Sequence, residues 1–143
     1  MFSSPVRYVM DKRKLLLAAP HTTVFEAARK MADRSTGAVL VMHDDELIGI
    51  LTERDAVYRV IAQGRDPAAT SLAEVMTPSP KTVSPDKTFG YAMMVMHENG
   101  FRHLPVVEHG KPVGLLSARN ALDPDLEEFV SEARRRTYIR EAG

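Results

Sequence analysis

The sequence predicts an α+β fold made of two similar halves that pack together, followed by a C-terminal amphipathic helix. The first observation is an internal repeat, because residues 20–56 align with 85–121 at a constant offset of 65 residues without a gap. The stretch GILTERD at 49–55, for example, recurs as GLLSARN at 114–120. The second observation is that each copy carries both helix-like and strand-like apolar patterns. A lone half of ~60 residues would bury only about 60% of its surface, so we expect the two copies to bury their apolar faces against each other.

The first repeat, residues 1–66, is predicted to contain a short extended piece, a helix, two strands and a second helix. Thr23 and Glu26 have the spacing of a capping box, and the apolar residues that follow fall on one helix face. The apolar runs GAVLVM (37–42) and LIGIL (47–51) flank a polar turn and predict a buried hairpin. A second helix is predicted from Thr52 to about Ala62. Its predicted apolar face consists of Ala56, Val57, Val60 and Ile61.

The second repeat, residues 67–122, is predicted to have the same order of elements after a linker at 63–72 that is rich in Gly, Pro and small residues. Thr88 begins its first helix, and HLPVV (103–107) and PVGLL (112–116) form its strands. Ser117 begins its last helix. Asp123 at the N-cap and Pro124 at the first helical position predict a further helix over 123–143. Its apolar stripe consists of Leu126, Phe129, Val130 and Ala133.

The composition excludes several classes of protein. The 143 residues include 44% hydrophobic ones and equal numbers of basic and acidic side chains, 19 of each, as in a soluble globular domain without a net field for nucleic acid or lipid. Cysteine is absent, which excludes disulfides and thiolate nucleophiles. The N-terminus has no basic segment before a long apolar core, and no apolar run approaches about 18 residues. We therefore expect a cytoplasmic protein with no membrane partner.

Common catalytic and metal sites are not indicated. The five histidines, at 21, 43, 97, 103 and 109, lack a metal-ligand spacing. The basic run RRR at 134–136 is expected to form a solvated helix face, so we do not expect a nucleic-acid partner. Because the sequence contains no nucleophile elbow or P-loop, we predict no enzymatic activity and no catalytic cofactor.

The recurring Gly, hydroxyl and acid or amide motif supports two interpretations. In the first, Thr52 with Asp55 and Ser117 with Asn120 only cap helices. In the second, the helix N-terminus favours an anion by about 0.3–1 kcal/mol, the hydroxyl donates to a phosphate, and the Asp55 carboxylate accepts from ribose hydroxyls. The recurring glycine lets another group approach the backbone closely. Positive charge for the phosphate would come from Arg54, Arg119, Arg102 and His103. The residues alone leave helix caps and a nucleoside-phosphate site as equal alternatives.

Taken together, the motifs resemble a tandem pair of CBS domains, the cystathionine beta-synthase type modules. The resemblance rests on the lead-in EVMTP, on TVSPDKT before a helix, on HLPVV, and on the repeated motif at 49–55 and 114–120, and it covers residues 6–122. It implies two β-α-β-β-α halves packed with pseudo-two-fold symmetry, commonly as a homodimer. It further implies a regulatory module that binds AMP, ADP, ATP, NAD(H) or S-adenosylmethionine in clefts between the halves.

The resemblance also assigns roles to individual residues. In one cleft it gives the ribose to Asp55 and the phosphate to Thr52, with Arg102 and His103 supplied by the opposite half. In the other cleft Ser117 and Asn120 hold the matching positions, opposite the segment Thr36, Gly37 and Ala38. Val83 lies in a lead-in segment that matches the family's contacts to the base. Because the amide of Asn120 has only one acceptor oxygen, we expect the second cleft to bind more weakly or to select another ligand.

The function predicted from the sequence is therefore a non-enzymatic sensor of an adenine nucleotide, with a homodimer and a regulated protein as the expected partners. One alternative is an interaction or assembly module that binds no nucleotide and uses the motifs only as helix caps. Another is RNA binding through the basic C-terminal helix.

Overall fold

The computed structural model of the protein describes residues 2–122 and 132–137, and it has the predicted α+β architecture. The described strands form a four-stranded sheet in the order β1-β2-β3-β4 and a two-stranded sheet of β5 and β6. The strands are β1 (Leu17–Ala18), β2 (Ala38–His43), β3 (Glu46–Thr52), β4 (Thr77–Pro78), β5 (His103–Glu108) and β6 (Lys111–Ser117). The helices are α1 (Val24–Arg34), α2 (Glu53–Asp55, continued by a π-helical segment Ala56–Ile61), α3 (Leu72–Val75) and α4 (Phe89–Asn99).

The two long helices begin at the predicted caps. Thr23 accepts a hydrogen bond from the backbone N–H of Glu26 at 3.2 Å, and Thr88 accepts one from Tyr91 at 3.1 Å. Both helices end at a residue in the left-handed region, Ser35 for α1 and Gly100 for α4. The matched starts and ends confirm that each repeat encodes the same helix.

The two predicted hairpins are also confirmed, and they have the same register. Ala38 pairs with Thr52 at the open end of the first hairpin, and His103 pairs with Ser117 at the open end of the second. The first turn uses positive φ angles at two aspartates and the second at a histidine and a glycine, as a two-residue hairpin turn requires. This register places the start of the helix or turn that follows each hairpin next to the start of the first strand of that hairpin.

The segment after Asp55 differs from the prediction. Residues 56–61 form a π-helix, in which the N–H of Ala62 bonds to the carbonyl of Val57 at 2.8 Å. A π turn takes more than four residues, so side chains spaced for an α-helix do not stay on one face. Val60 is fully buried, but Val57 is 47% and Ile61 is 67% exposed. The predicted apolar face of this helix is therefore only partly buried.

The final helices of the second repeat are described in part. Ala118–Leu122 form a 3-10 turn where the sequence predicts the start of a helix at Ser117. Of the predicted C-terminal helix, residues 132–137 are helical. The predicted cap at Asp123 and the stripe residues Leu126, Phe129 and Val130 lie outside the described residues.

The first segment of each repeat, before its first long helix, packs into the core of the other half. Val6, in a 3-10 turn near the N-terminus, is fully buried with Phe89 and other residues of the second half. Asp11 then pairs with Leu115 through two backbone hydrogen bonds of 3.0 and 3.1 Å. In the same way, Leu72 of α3 is buried in the first half, and β4 pairs with β3. The two halves are therefore interlocked.

These crossing segments explain the recurring glycine of the motif. A Cβ added at Gly114 would lie 2.6 Å from the sulfur of Met10, and one added at Gly49 would overlap the sulfur of Met76. The group that approaches each glycine closely is thus a methionine of the crossing segment. In the part of the chain that the structure describes, no helix has the length and apolar character needed to cross a bilayer.

Candidate functional site

Two clefts lie along the junction of the halves. The first cleft has a volume of about 640 Å³ and the second about 610 Å³, both within the range of small-molecule sites. The first cleft is lined by Thr52, Glu53, Arg54, Asp55 and Tyr58 of the first half, by Phe101, Arg102 and His103 of the second, and by Thr77 and Lys81 from the segment that crosses between them. The second is lined by Asp11, Lys14, Ser35, Thr36, Gly37, Ser117, Arg119 and Asn120, and it shares Glu53, Arg102 and His103 with the first.

In the first cleft, the motif forms a complete capping box. The Asp55 Oδ2 atom accepts hydrogen bonds from the Thr52 N–H at 2.9 Å and from its hydroxyl at 3.1 Å. The Asp55 N–H in turn donates to Thr52 Oγ1 at 3.3 Å. Thr52 and Asp55 therefore do cap the helix. The cap uses only one of the two carboxylate oxygens, so Oδ1 keeps acceptor capacity for a ligand hydroxyl.

Arg59 connects that second oxygen to the crossing segment. Its Nε atom lies 3.7 Å from Asp55 Oδ1, and its Nη1 atom donates to the Val75 carbonyl at 3.0 Å. The Asp55 side chain is only 17% exposed. The carboxylate is thus held in one orientation at the edge of the cleft by its own helix start and by an arginine one turn later.

The opposite wall supplies most of the positive charge. Arg102 and His103 come from the second half, and Lys81 comes from the chain just after the crossing segment. Arg54 lies on the same wall as Asp55, with its guanidinium 5.0 Å from the centre of the Tyr58 ring. A phosphate in this cleft would therefore meet cations from both halves.

The second cleft repeats the cap with different chemistry. The single acceptor oxygen of Asn120 accepts from the Ser117 N–H at 2.8 Å, and the Arg119 N–H donates to the Ser117 hydroxyl at 3.2 Å. Because the cap uses the only side-chain oxygen of Asn120, that residue has fewer acceptors left than Asp55. Thr36 lies on the facing wall, and its buried hydroxyl has no hydrogen-bond partner within the described structure.

Two of the sequence-predicted site residues do not line either cleft. Ala38 is 1% exposed and packs between the sheets with Leu40 and Leu115. Val83 is 4% exposed and lies in the core of the second half, where its N–H donates to the Pro105 carbonyl and its carbonyl accepts from the Val107 N–H. The other ten predicted residues line the two clefts in the predicted grouping, and their contact with a ligand stays a prediction.

Sequence reasoning missed Glu53, which borders both clefts. Its Oε1 atom lies 2.9 Å from His103 Nε2, across the junction of the halves. Its backbone N–H donates to the Gly37 carbonyl at 3.0 Å, and the matching bond in the other half joins Ala118 to Arg102. No sequence signal marks Glu53, because the matching position in the second repeat is an alanine.

Further missed lining residues flank the motifs or come from the crossing segments. Tyr58 lies on the π-helical segment, Phe101 precedes β5, and Lys81 follows β4. Lys14 and Asp11 belong to the N-terminal segment that crosses to the second half. Among residues 2–122 and 132–137, no group of three or more potential metal-ligating side chains is assembled.

Comparison with known proteins identifies the family. The CBS domain model matches residues 6–62 and 72–126. The chain belongs to the CBS domain family. It is 42% identical over 110 residues to the CBS domain-containing protein CBSCBSPB2 of Arabidopsis thaliana, which covers 76% of this chain and 20% of the relative, so the chain spans about a fifth of that protein. CBS pairs are known as regulatory and signal-sensing modules.

Solved structures confirm the CBS-pair fold. The CBS-domain containing protein ATU1752 of Agrobacterium tumefaciens superposes with a TM-score of 0.75 at 30% identity, covering 84% of this chain and 92% of that one. The CBS domain pair of protein MJ0100 superposes with a TM-score of 0.75 at 20% identity, covering 83% and 93%. That structure is a complex with 5′-methylthioadenosine and S-adenosyl-L-methionine.

Proposed function

We propose that this chain is a non-enzymatic regulatory module that binds an adenosine phosphate in the first cleft. The observation that carries the proposal is that one cavity of about 640 Å³ joins Asp55 of the first half to Arg102 and His103 of the second. A carboxylate with a free oxygen suits ribose hydroxyls, and paired cations suit a phosphate. The candidate phosphate ligands are AMP, ADP, ATP and NAD(H); S-adenosylmethionine, which has no phosphate, is the further candidate and would use the ribose-binding side of the cleft.

Contact with both halves provides the regulatory step. A ligand held between Asp55 and Arg102 stabilises the arrangement in which the two walls are close. It shifts the population toward that arrangement by the difference in its affinity for the two states. The second cleft is expected to bind the same class of ligand more weakly, because the Asn120 oxygen is already used by the cap. The 5′-methylthioadenosine and S-adenosyl-L-methionine of the MJ0100 complex support an adenosine-containing ligand, and the cations of the first cleft support a phosphate on it.

Thermal unfolding with a ligand panel tests this proposal. At about 100 times the dissociation constant, a ligand of the folded state adds about 2.7 kcal/mol, which raises Tm by roughly 5–10 °C for a chain of this size. Asp55→Asn should reduce the shift, while Asp33→Asn, on an exposed part of α1, should leave it unchanged. If no member of the panel raises Tm, nucleotide sensing is rejected.

An assembly module is the second candidate, and a specific surface favours it. Val57, Tyr58 and Ile61 are 47%, 58% and 67% exposed and lie on the same short π-helical segment. Exposed apolar side chains in one place are typical of a contact with another chain. In this case the protein would form a homodimer or bind a regulated protein without nucleotide. Its mass in solution would then fall with Ile61→Lys, and its Tm would not respond to the ligand panel.

A further inference from the structure

Glu53 occupies an unusual place between the two clefts. It is the first residue of α2, its side chain is 65% exposed, and its carboxylate reaches across the junction to His103, whose side chain is only 11% exposed. The Nδ1 atom of His103 is buried without a hydrogen-bond partner. The contact with Glu53 is therefore the one side-chain hydrogen bond of this imidazole within the described structure.

The same carboxylate also covers part of the second cleft. A Cβ added at Gly37 would lie 2.7 Å from Glu53 Oε1 and closer still to Oε2. The carboxylate thus lies against the backbone of Gly37, on the wall that faces Ser117 and Asn120. The Glu53 carboxylate therefore contacts a residue that lines each cleft, Gly37 in the second and His103 in the first.

The charges make Glu53 a competitor for an anionic ligand. A phosphate in either cleft would be bound by the donors that border both, the Arg102 guanidinium and the His103 imidazole. The Glu53 carboxylate already contacts Nε2 of that imidazole. A phosphate and the Glu53 carboxylate repel each other when both lie within hydrogen-bonding distance of the same imidazole. A phosphate therefore reaches His103 only when the carboxylate has moved away. The high exposure of the Glu53 side chain leaves it free to swing into solvent.

We propose that Glu53 is a built-in competing anion that lowers the affinity of the clefts for phosphate-bearing nucleosides and thereby sets their preference between charged and neutral adenosine ligands. This inference rests on the proposed function. It adds a specificity-determining residue that acts by being displaced.

The test compares Glu53→Gln with wild type toward two probes, AMP and adenosine. AMP is measured by calorimetry and adenosine by NMR titration, which reads weak binding. Removing the negative charge while keeping the shape should tighten AMP binding about two- to fivefold, the range expected for an exposed ion pair. Adenosine binding should not change. Glu98→Gln, at an exposed position on α4, is the matched control and should behave as wild type toward both probes.

A double-mutant cycle identifies the partner of Glu53. In a His103→Gln background, the increase in AMP affinity caused by Glu53→Gln should shrink toward onefold, because the contact between Glu53 and His103 is already absent. Three results would overturn the inference: AMP affinity that is unchanged or weaker in Glu53→Gln, an equal gain for adenosine, or a full gain in the His103→Gln background. Failure of wild type to bind AMP, adenosine or any other member of the ligand panel would instead reject the proposed function.

Discussion

The two clefts of this CBS pair come from the same repeated sequence, yet they offer a ligand different groups. The first joins a carboxylate, Asp55, to a wall that begins with Arg102 and His103. The second contains an amide, Asn120, instead. The positions that match Arg102 and His103 in the repeat are Gly37 and Ala38, and Ala38 is buried in the core. In both caps the side-chain oxygen of the acid or amide accepts from the N–H of the hydroxyl residue. What has diverged is the free acceptor and the residues of the facing wall, so the difference separates the role of the motif in folding from its role in binding.

The largest expected effect tests the part that both clefts share, the methionine packed on each motif glycine. Gly49→Val and Gly114→Val each place side-chain atoms where Met76 or Met10 now lies. Each should lower the free energy of unfolding by about 1–3 kcal/mol, as overpacking of a core does. Urea unfolding measures the change.

Ala69→Val, at an exposed position in the linker, is the control for introducing a valine side chain where it meets no core residue. If either glycine variant unfolds at the same urea concentration as wild type, the close packing of the crossing segments is wrong for that half. Unequal losses would show that the two halves tolerate the insertion differently.

An exchange of the acid and the amide gives the next largest effect. Asp55→Asn keeps an oxygen for the cap, as Asn120 does in the other half at 2.8 Å, but removes the charged acceptor from the first cleft. Loss of a hydrogen bond to a charged group costs about 1.5–3 kcal/mol, so AMP affinity should fall at least tenfold. Asn120→Asp should raise the affinity of the second cleft.

Calorimetry on the two variants and the double exchange measures this prediction. The two changes should move the apparent affinities of the clefts toward each other. An Asp55→Asn protein that binds AMP as tightly as wild type would mean that the motif acid serves only the cap.

The smallest effect concerns the anchoring of the N-terminal crossing segment and depends on pH. The hydrogen bond from Arg7 Nη2 to Glu108 Oε2, 2.6 Å long, holds the pKa of the Glu108 carboxyl below its ordinary value. A lowered folded-state pKa stabilises the protein above the unfolded-state pKa, and this contribution is lost as pH falls through the folded-state value. Arg7→Met should therefore weaken the fold at neutral pH and make stability less sensitive to acid.

Urea unfolding at pH 7 and at successive steps below pH 4.5 measures that dependence. The other crossing segment also contains a carboxyl with a lowered pKa, Glu74 in the cap of α3. The cause there is the pair of hydrogen bonds that the Ser71 N–H and hydroxyl donate to it. A parallel loss of stability in Arg7→Met and wild type on acidification would show that Glu108 does not contribute.

The sequence predicts the local parts of this fold well and the tertiary parts less well. The caps at Thr23 and Thr88 and both hairpins follow from short-range spacing, so they could be predicted. The π-helical winding after Asp55 could not, because it leaves the apolar spacing of an ordinary helix in the sequence. The crossing of the segments around Val6 and Leu72 depends on which core each one reaches, and no local pattern encodes that choice.

The candidate site divides in the same way. Asp55 and Asn120 are found from the repeat itself, Arg102 and His103 are found from their chemistry, and the resemblance to the family groups Arg102 and His103 with Asp55 in one cleft. Glu53 is missed because its role arises from a contact across the junction, and the repeat replaces it by an alanine. A position that differs between the two copies carries no motif signal, although such positions are where the clefts acquire different chemistry.

The central claim is that a nucleoside phosphate bridges the two halves in the first cleft. An NMR titration with AMP, read at the backbone amides, tests it most directly. We expect the amide signals of residues 52–55 and of residues 101–103 to shift together and to saturate at the same AMP concentration, before the signals of residues 117–120. Saturating AMP that moves neither set, or moves only one wall of the cleft, would contradict it.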